Sequence, residues 1–160
     1  MGFKASVILW SFESLKIQSK YELHKVRVES VTFTCDSKYL ISLGGRDDSN
    51  IIVWNIEKGE ALCGTMATQG TQGDALLLCR TNVRGLCFVT GGEGSMRVWK
   101  IMPEQRQVHA MDVKFGLVKR KIICIVVSIF EITFKNLRIN IYVLRELATE
   151  FYNFYIYNEI

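Results

Sequence analysis

The residues of this chain that could do chemistry are few and poorly grouped: two histidines, five cysteines, one pair of adjacent aspartates, one glycine cluster and one short basic run. A zinc hydrolase needs a second His or a Glu at helical spacing from the first ligand, and neither His24 nor His109 has one. Cys35, Cys63, Cys79, Cys87 and Cys124 contain no C-x-x-C pair and are odd in number. Buried thiols in a reducing compartment are therefore expected, rather than a disulfide framework or a zinc site. Asp47-Asp48 resemble paired carboxylates, but beside Gly44-Gly45 they read as turn residues. Gly91-Gly92-Glu93-Gly94 lacks the Gly-Lys-Ser/Thr ending of a phosphate loop and precedes a strand pattern, not a helix. No Ser or Cys nucleophile has a base placed beside it in the sequence. The expectation is a chain that is not an enzyme, with no catalytic residues, cofactor, metal or small-molecule substrate.

Composition excludes further classes. In 160 residues, 49% are hydrophobic and 22% charged, which is a globular balance. Residues 1–113 carry 13 Lys/Arg against 12 Asp/Glu, and residues 114–160 carry 7 against 4. The net charge of +4 thus sits mainly in the C-terminal part, and no nucleic-acid-binding face is expected on the rest. The apolar stretch Ile122–Phe130 is too short for a membrane span of about 20 residues. Met1–Trp10 lacks the pattern of a signal peptide, so a cytoplasmic chain is expected.

The organising signal is a repeat. Val7-Ile8-Leu9-Trp10, Ile51-Ile52-Val53-Trp54 and Met96-Arg97-Val98-Trp99 each end an aliphatic run on Trp, at spacings of 44 and 45 residues. Around the second Trp, Val28–Phe33, Tyr39–Leu43, Ile51–Trp54 and Glu60–Gly64 read as four strands separated by Asp36-Ser37-Lys38, Gly44–Asp48 and Lys58-Gly59 turns. Around the third, Ala75–Cys79, Leu86–Thr90, Met96–Trp99 and a segment near 106–113 repeat the order, with a turn starting at Thr81-Asn82 and a flexible connection at Gly70–Gly73. Ser6–Trp10 and Leu15–Tyr21 read as the last two strands of an earlier unit.

A period of about 40–45 residues with Trp closing the third strand resembles the WD40 family. The resemblance implies an all-β, partial β-propeller of about two blades plus part of a third: residues 1–22 end a truncated blade, 23–66 form one blade and 67–113 a degenerate one. It also implies a structural hydrogen-bond network of His24, Ser42, Asp48 and Trp54 in the first unit. In the second unit Thr90 and Trp99 match, Glu93 stands where Asp belongs, and no His precedes the inner strand. That blade is expected to hold its turn less firmly.

His24–Phe33, Leu43–Asp48, Ala61–Gly64 and Arg97-Val98-Trp99 further resemble, within that family, the WD-repeat proteins of motile-cilium doublet microtubules. That narrower likeness implies a structural interaction module, a microtubule inner protein stabilising the doublets, with tubulin and other axonemal proteins as partners in the cilium or flagellum. Lys25, Arg27, Arg46 and Asp47, all in turns, are the candidate partner contacts. A general cytosolic WD40 scaffold or adaptor is the alternative.

Residues 114–160 depart from this pattern. No Gly follows Gly116, no Trp closes another unit, and 23 of the last forty residues are Ile, Phe, Tyr, Asn or Lys, the bias of A/T-rich codons. The tail is expected to be either non-family sequence, as an intron read-through or mis-predicted exon would give, or a divergent exon of the family. Leu137–Val143 alternates like a strand, and Val143–Phe151 suits a short helix equally well. Lys119-Arg120-Lys121 reads as a solvated loop, although it could touch an acidic surface. A closed propeller needs about four to eight blades, so the chain is expected to be a fragment, marginal and sticky alone.

Overall fold

The computed structural model describes residues 4–68, 73–81, 86–113, 121–128, 132–133, 136–144 and 149–156. Every regular element among them is a β-strand. β1 (Ala5–Ser11) and β2 (Lys16–His24) form an antiparallel pair. β3 (Val28–Phe33), β4 (Tyr39–Gly44), β5 (Asn50–Asn55) and β6 (Glu60–Met66) make a four-stranded sheet in sequential order. β7 (Ala75–Arg80), β8 (Cys87–Gly92), β9 (Met96–Met102) and β10 (Gln107–Asp112) make a second sheet with the same order.

The repeat extends to the backbone. The hairpin after each Trp-bearing strand is four residues long and ends on a residue of positive φ: Leu15 at 53°, Gly59 at 68° and Arg106 at 52°. Only Gly reaches that region without a Cβ clash, so the second hairpin is the least strained. Pairing is irregular between Leu9 and Trp10 and again between Val53 and Trp54. It is likewise irregular between Val28 and Ser30 and between Ala75 and Leu77. The Trp-side irregularity is shared by the N-terminal pair and the first blade, the inner-strand one by the two four-stranded blades, and bulges of this kind add local twist.

The central strands β4 and β5 are buried on both faces, so they read as largely apolar runs rather than alternating ones, while β3 and β6 stay partly exposed. Leu40, Ile52 and Trp54 face the N-terminal pair and pack on Val7 and Tyr21. Their neighbours Ile41, Leu43, Ile51 and Val53 face the other way, onto Ala75, Phe88, Trp99 and Ile101. Inner strands β3 and β7 lie side by side, and the amide of Leu78 donates to Ser30 Oγ at 3.2 Å. Sheets stacked face to face with inner strands adjacent are successive blades of a propeller.

The C-terminal segment takes a sheet of its own. β11 (Cys124–Ser128) pairs with β13 (Asn136–Leu144), which also pairs with β12 (Ile132–Thr133) and β14 (Thr149–Ile156). β11 lies against β7, as β7 lies against β3. Buried Ile122 and Ile125 reach the second blade at Gly91, and the amide of Ile122 donates to the Gly92 carbonyl at 3.0 Å. The strand expected at 137–143 is β13. The helix weighed for 143–151 is not taken: both described ends of that range are strand, Val143-Leu144 closing β13 and Thr149–Phe151 opening β14. β-branched Val143 and Thr149 and aromatic Phe151, at the described ends of the range, favour strands. Asn82, Lys119, Arg120 and most of the 70–73 connection lie outside the described residues.

Candidate functional site

The turn between β4 and β5 and the link between β2 and β3 form one rim of the first blade. The Gly45 amide donates to the Arg27 carbonyl at 3.1 Å, which stitches the two loops together. Lys25, Arg27, Arg46 and Asp47 are all exposed on this rim. Arg27, in the link, pairs with Glu29 of β3. Arg46 reaches the next blade, 2.5 Å from Asp74 and 3.5 Å from Glu93. Its charge is thereby engaged between blades, and an ion pair this exposed contributes little to stability.

Beneath the rim, four side chains meet. Trp54 Nε1 donates to Ser42 Oγ at 2.8 Å, Ser42 Oγ lies 2.7 Å from His24 Nε2, and His24 Nδ1 lies 3.0 Å from Asp48 Oδ2. One tautomer satisfies all of them: Nδ1–H donates to the carboxylate, and Nε2 accepts the Ser42 hydroxyl proton, leaving Oγ to accept from the indole. Asp48 also accepts the amides of Lys25 at 3.1 Å and Asn50 at 3.3 Å, so one carboxylate holds both loops of the rim. Gly44 is required by close approach: a Cβ there would collide with the Asp48 carboxylate and the His24 ring. His24 is the last residue of β2, so its backbone belongs to the N-terminal pair while its side chain serves the next blade.

Ser42, His24 and Asp48 stand in the hydrogen-bonding order of a hydrolase triad. The chemistry does not follow. Ser42 is 0% exposed and its oxygen is capped by the Trp54 indole, so no carbonyl carbon can reach it. The arrangement fixes a turn.

The second blade keeps one leg of this network. Trp99 Nε1 donates to Thr90 Oγ1 at 2.8 Å. Glu93 points to Arg46 rather than to Thr90. Bonds to backbone carbonyls hold its turn instead: the Glu93 amide donates to the Asp74 carbonyl at 2.9 Å, and the Ser95 hydroxyl to the Gly73 carbonyl at 3.2 Å.

Among the described residues no group of three or more metal-ligating side chains occurs. His109 lies exposed on β10. Cys35, Cys63, Cys87 and Cys124 form no disulfide, and burial pushes the thiols of Cys63 and Cys87 above their ordinary range, which keeps them protonated. Sequence reasoning missed Tyr21, which stacks on Trp54 with ring centroids 4.6 Å apart, and Arg97, which is 5% exposed. A signal for Arg97 existed: a charge stands 45 residues after Ile52, at the same place in the repeat.

Solved structures share this architecture. A chain in a structure described as the Mitotic Checkpoint Complex superposes with a TM-score of 0.70 over 96% of this chain and 43% of that one, at 14% identity. Sqt1 of Saccharomyces cerevisiae superposes with a TM-score of 0.68 over 91% of this chain and 41% of its own, at 14% identity. Both are WD40 propellers.

With curated relatives at 37% and 38% identity over 78% and 75% of its length, the chain belongs to the WD40-repeat family of cilia- and flagella-associated protein 52.

Its curated relatives narrow the likeness. Cilia- and flagella-associated protein 52 of Bos taurus is 37% identical over 125 residues, 78% of this WD40 chain and 20% of that protein. The Mus musculus protein of the same name is 38% identical over 75% of this chain and 19% of its own length. The Chlamydomonas reinhardtii one is 31% identical over 80% and 20%. The chain spans about a fifth of the length of these relatives. A scan against protein-family models finds no match. The superposition covers 96% of the chain, against 78% for the sequence match.

Proposed function

We propose that this WD40 chain is part of a rigid docking module of cilia and flagella, a microtubule inner protein that packs against tubulin and neighbouring axonemal proteins and stabilises the doublet without turnover. The observation that carries this reading is the identity of 31% to 38% with proteins named for cilia and flagella, from mammals to an alga. The fold supports it. Stacked blades hold loops in fixed positions, and the buried Asp48 carboxylate braces the rim that carries Lys25, Arg27, Arg46 and Asp47. The capped, buried Ser42 supports a binding role over a hydrolytic one.

Co-sedimentation with axonemes tests the reading. A structural component of the doublet stays with the pellet through moderate-salt washes. A general cytosolic adaptor washes free, and release of the chain under those conditions overturns the proposal.

A further inference from the structure

β6 is the last strand of its sheet, so one row of its amides and carbonyls has no strand beside it, and only the Ala61 carbonyl near its start is described as bonded by a side chain from outside the sheet, that of Arg106 at 3.1 Å. It forms the wall between two grooves on the outer side of the stack, and Thr65 and Met66 line both. The groove towards β2, of about 540 Å³, is lined by Leu23, Ile52, Ala61 and Met66 over Gly64, whose missing side chain leaves its floor open. The groove towards β10, of about 310 Å³, holds Arg97, Trp99, His109 and Asp112.

The two grooves are the same place in consecutive repeats, since Ile52 faces Gly64 across its hairpin and Arg97 faces Asp112 across the next. Where the first has an aliphatic side chain, the second has a buried cation. Burying a charge is costly unless every polar hydrogen finds a partner. Arg97 donates from Nε to Asp112 at 2.5 Å and from Nη1 to the Ala67 carbonyl at 3.2 Å, with Trp99 under its guanidinium carbon at 5.7 Å. These bonds use two of its five N–H groups, and the residue is part of the groove lining.

We propose that the free edge of β6 accepts an extended peptide strand whose side chains alternate aliphatic and acidic. Strand addition supplies main-chain hydrogen bonds, and the period of two sends successive side chains to opposite faces. Aliphatic side chains enter the groove over Gly64, and a carboxylate on the other face takes the remaining Arg97 donors. This docking site lies on the outer wall, apart from the rim described above, and does not depend on the ciliary reading.

The test uses the full chain and a fluorescein-labelled, capped peptide, Lys-Val-Glu-Ile-Glu-Val-Lys, read by fluorescence anisotropy. Replacing both Glu with Gln in the peptide, or Arg97→Gln in the chain, weakens binding about tenfold or more. Gly64→Val fills the floor of the apolar groove; a Cβ there sits in ordinary contact range of Ile51 and Ile52, so the sheet tolerates it while the peptide loses affinity. If Arg97→Gln fails to fold, the Gln peptide against the unaltered chain makes the same test. Equal binding of a peptide with Lys in place of Glu, the absence of saturable binding, or an unchanged affinity of Gly64→Val overturns the proposal.

Discussion

Tyr21 of the N-terminal strand pair stacks on Trp54 of the first blade, with ring centroids 4.6 Å apart and planes inclined by 30°. One blade thus lays an aromatic over the Trp of the next. The contact joins β2 to β5, elements with no backbone pairing between them. Truncating a buried aromatic costs about 3–5 kcal/mol. Tyr21→Ala is expected to loosen the N-terminal pair first, and limited trypsin digestion should then cut faster after Lys25 and Arg27, while Leu23→Ala, on an exposed side chain, leaves the rate near that of the unaltered chain.

The two Trp networks should differ in weight. Ser42→Ala strands both the Trp54 indole and His24 Nε2, each in a buried setting. Unsatisfied buried groups cost about 1–3 kcal/mol each. Thr90→Ala strands the Trp99 indole alone among the hydrogen bonds described for that threonine. Urea midpoints should therefore fall further for Ser42→Ala than for Thr90→Ala, and the reverse order would contradict the network as drawn.

Two glycines should respond in opposite directions. Alanine at Gly44 would drive its methyl into the Asp48 carboxylate and the His24 ring, and overpacking of this kind costs about 1–3 kcal/mol. Alanine at Gly64 has room. Since Gly inside a strand is about 0.5–1 kcal/mol less favourable than Ala, Gly64→Ala should stabilise. Thermal melts of the two variants measure the contrast directly.

Thiol reactivity should follow burial. Cys35 is exposed and should be alkylated first near neutral pH. Burial raises the pKa of Cys63 and Cys87 from an ordinary 9.0, which leaves little thiolate to react. A raised folded-state pKa contributes stability that is complete below the unfolded value and is lost as pH climbs through the folded one. Stability should therefore decline above about pH 9, and substituting Ala for both cysteines should reduce that decline.

The outer face of the N-terminal pair should make the isolated chain adhesive. Trp10 is 58% exposed, against 3% for Trp54 and 2% for Trp99, and Ile8 and Ile17 are exposed beside it. A patch of this kind invites association. We expect binding of a hydrophobic dye and irreversible unfolding, both relieved by Ile8→Lys with Ile17→Lys. Reversible, cooperative unfolding of the unaltered monomer would contradict this.

Strand positions were legible because each short apolar run is bracketed by turn residues at a regular spacing. The runs at Val28–Phe33 and Ala75–Cys79 match β3 and β7 closely. Leu15–Tyr21 was less so. β2 continues to His24, because pairing of Ala5 with His24 extends it past the point where the repeat motif begins. The tail was least legible: its residue bias hid a sheet that β11 anchors through Ile122 and Ile125 against Gly91.

By itself, the sequence determined the repeat, since tryptophans at a fixed spacing with Gly and Asp turns between them are local properties of the chain. The residues of the His24–Ser42–Asp48–Trp54 cluster were pointed to by the resemblance to the WD40 family, and the structure brings them within hydrogen-bonding distance. Only the tertiary structure decided that His24 crosses from one blade to serve another, that Arg46 spans two blades to Asp74 and Glu93, and that Arg97 is buried where its counterpart Ile52 is aliphatic. Those contacts join residues far apart in the chain. Their geometry depends on how sheets stack, which no local pattern encodes.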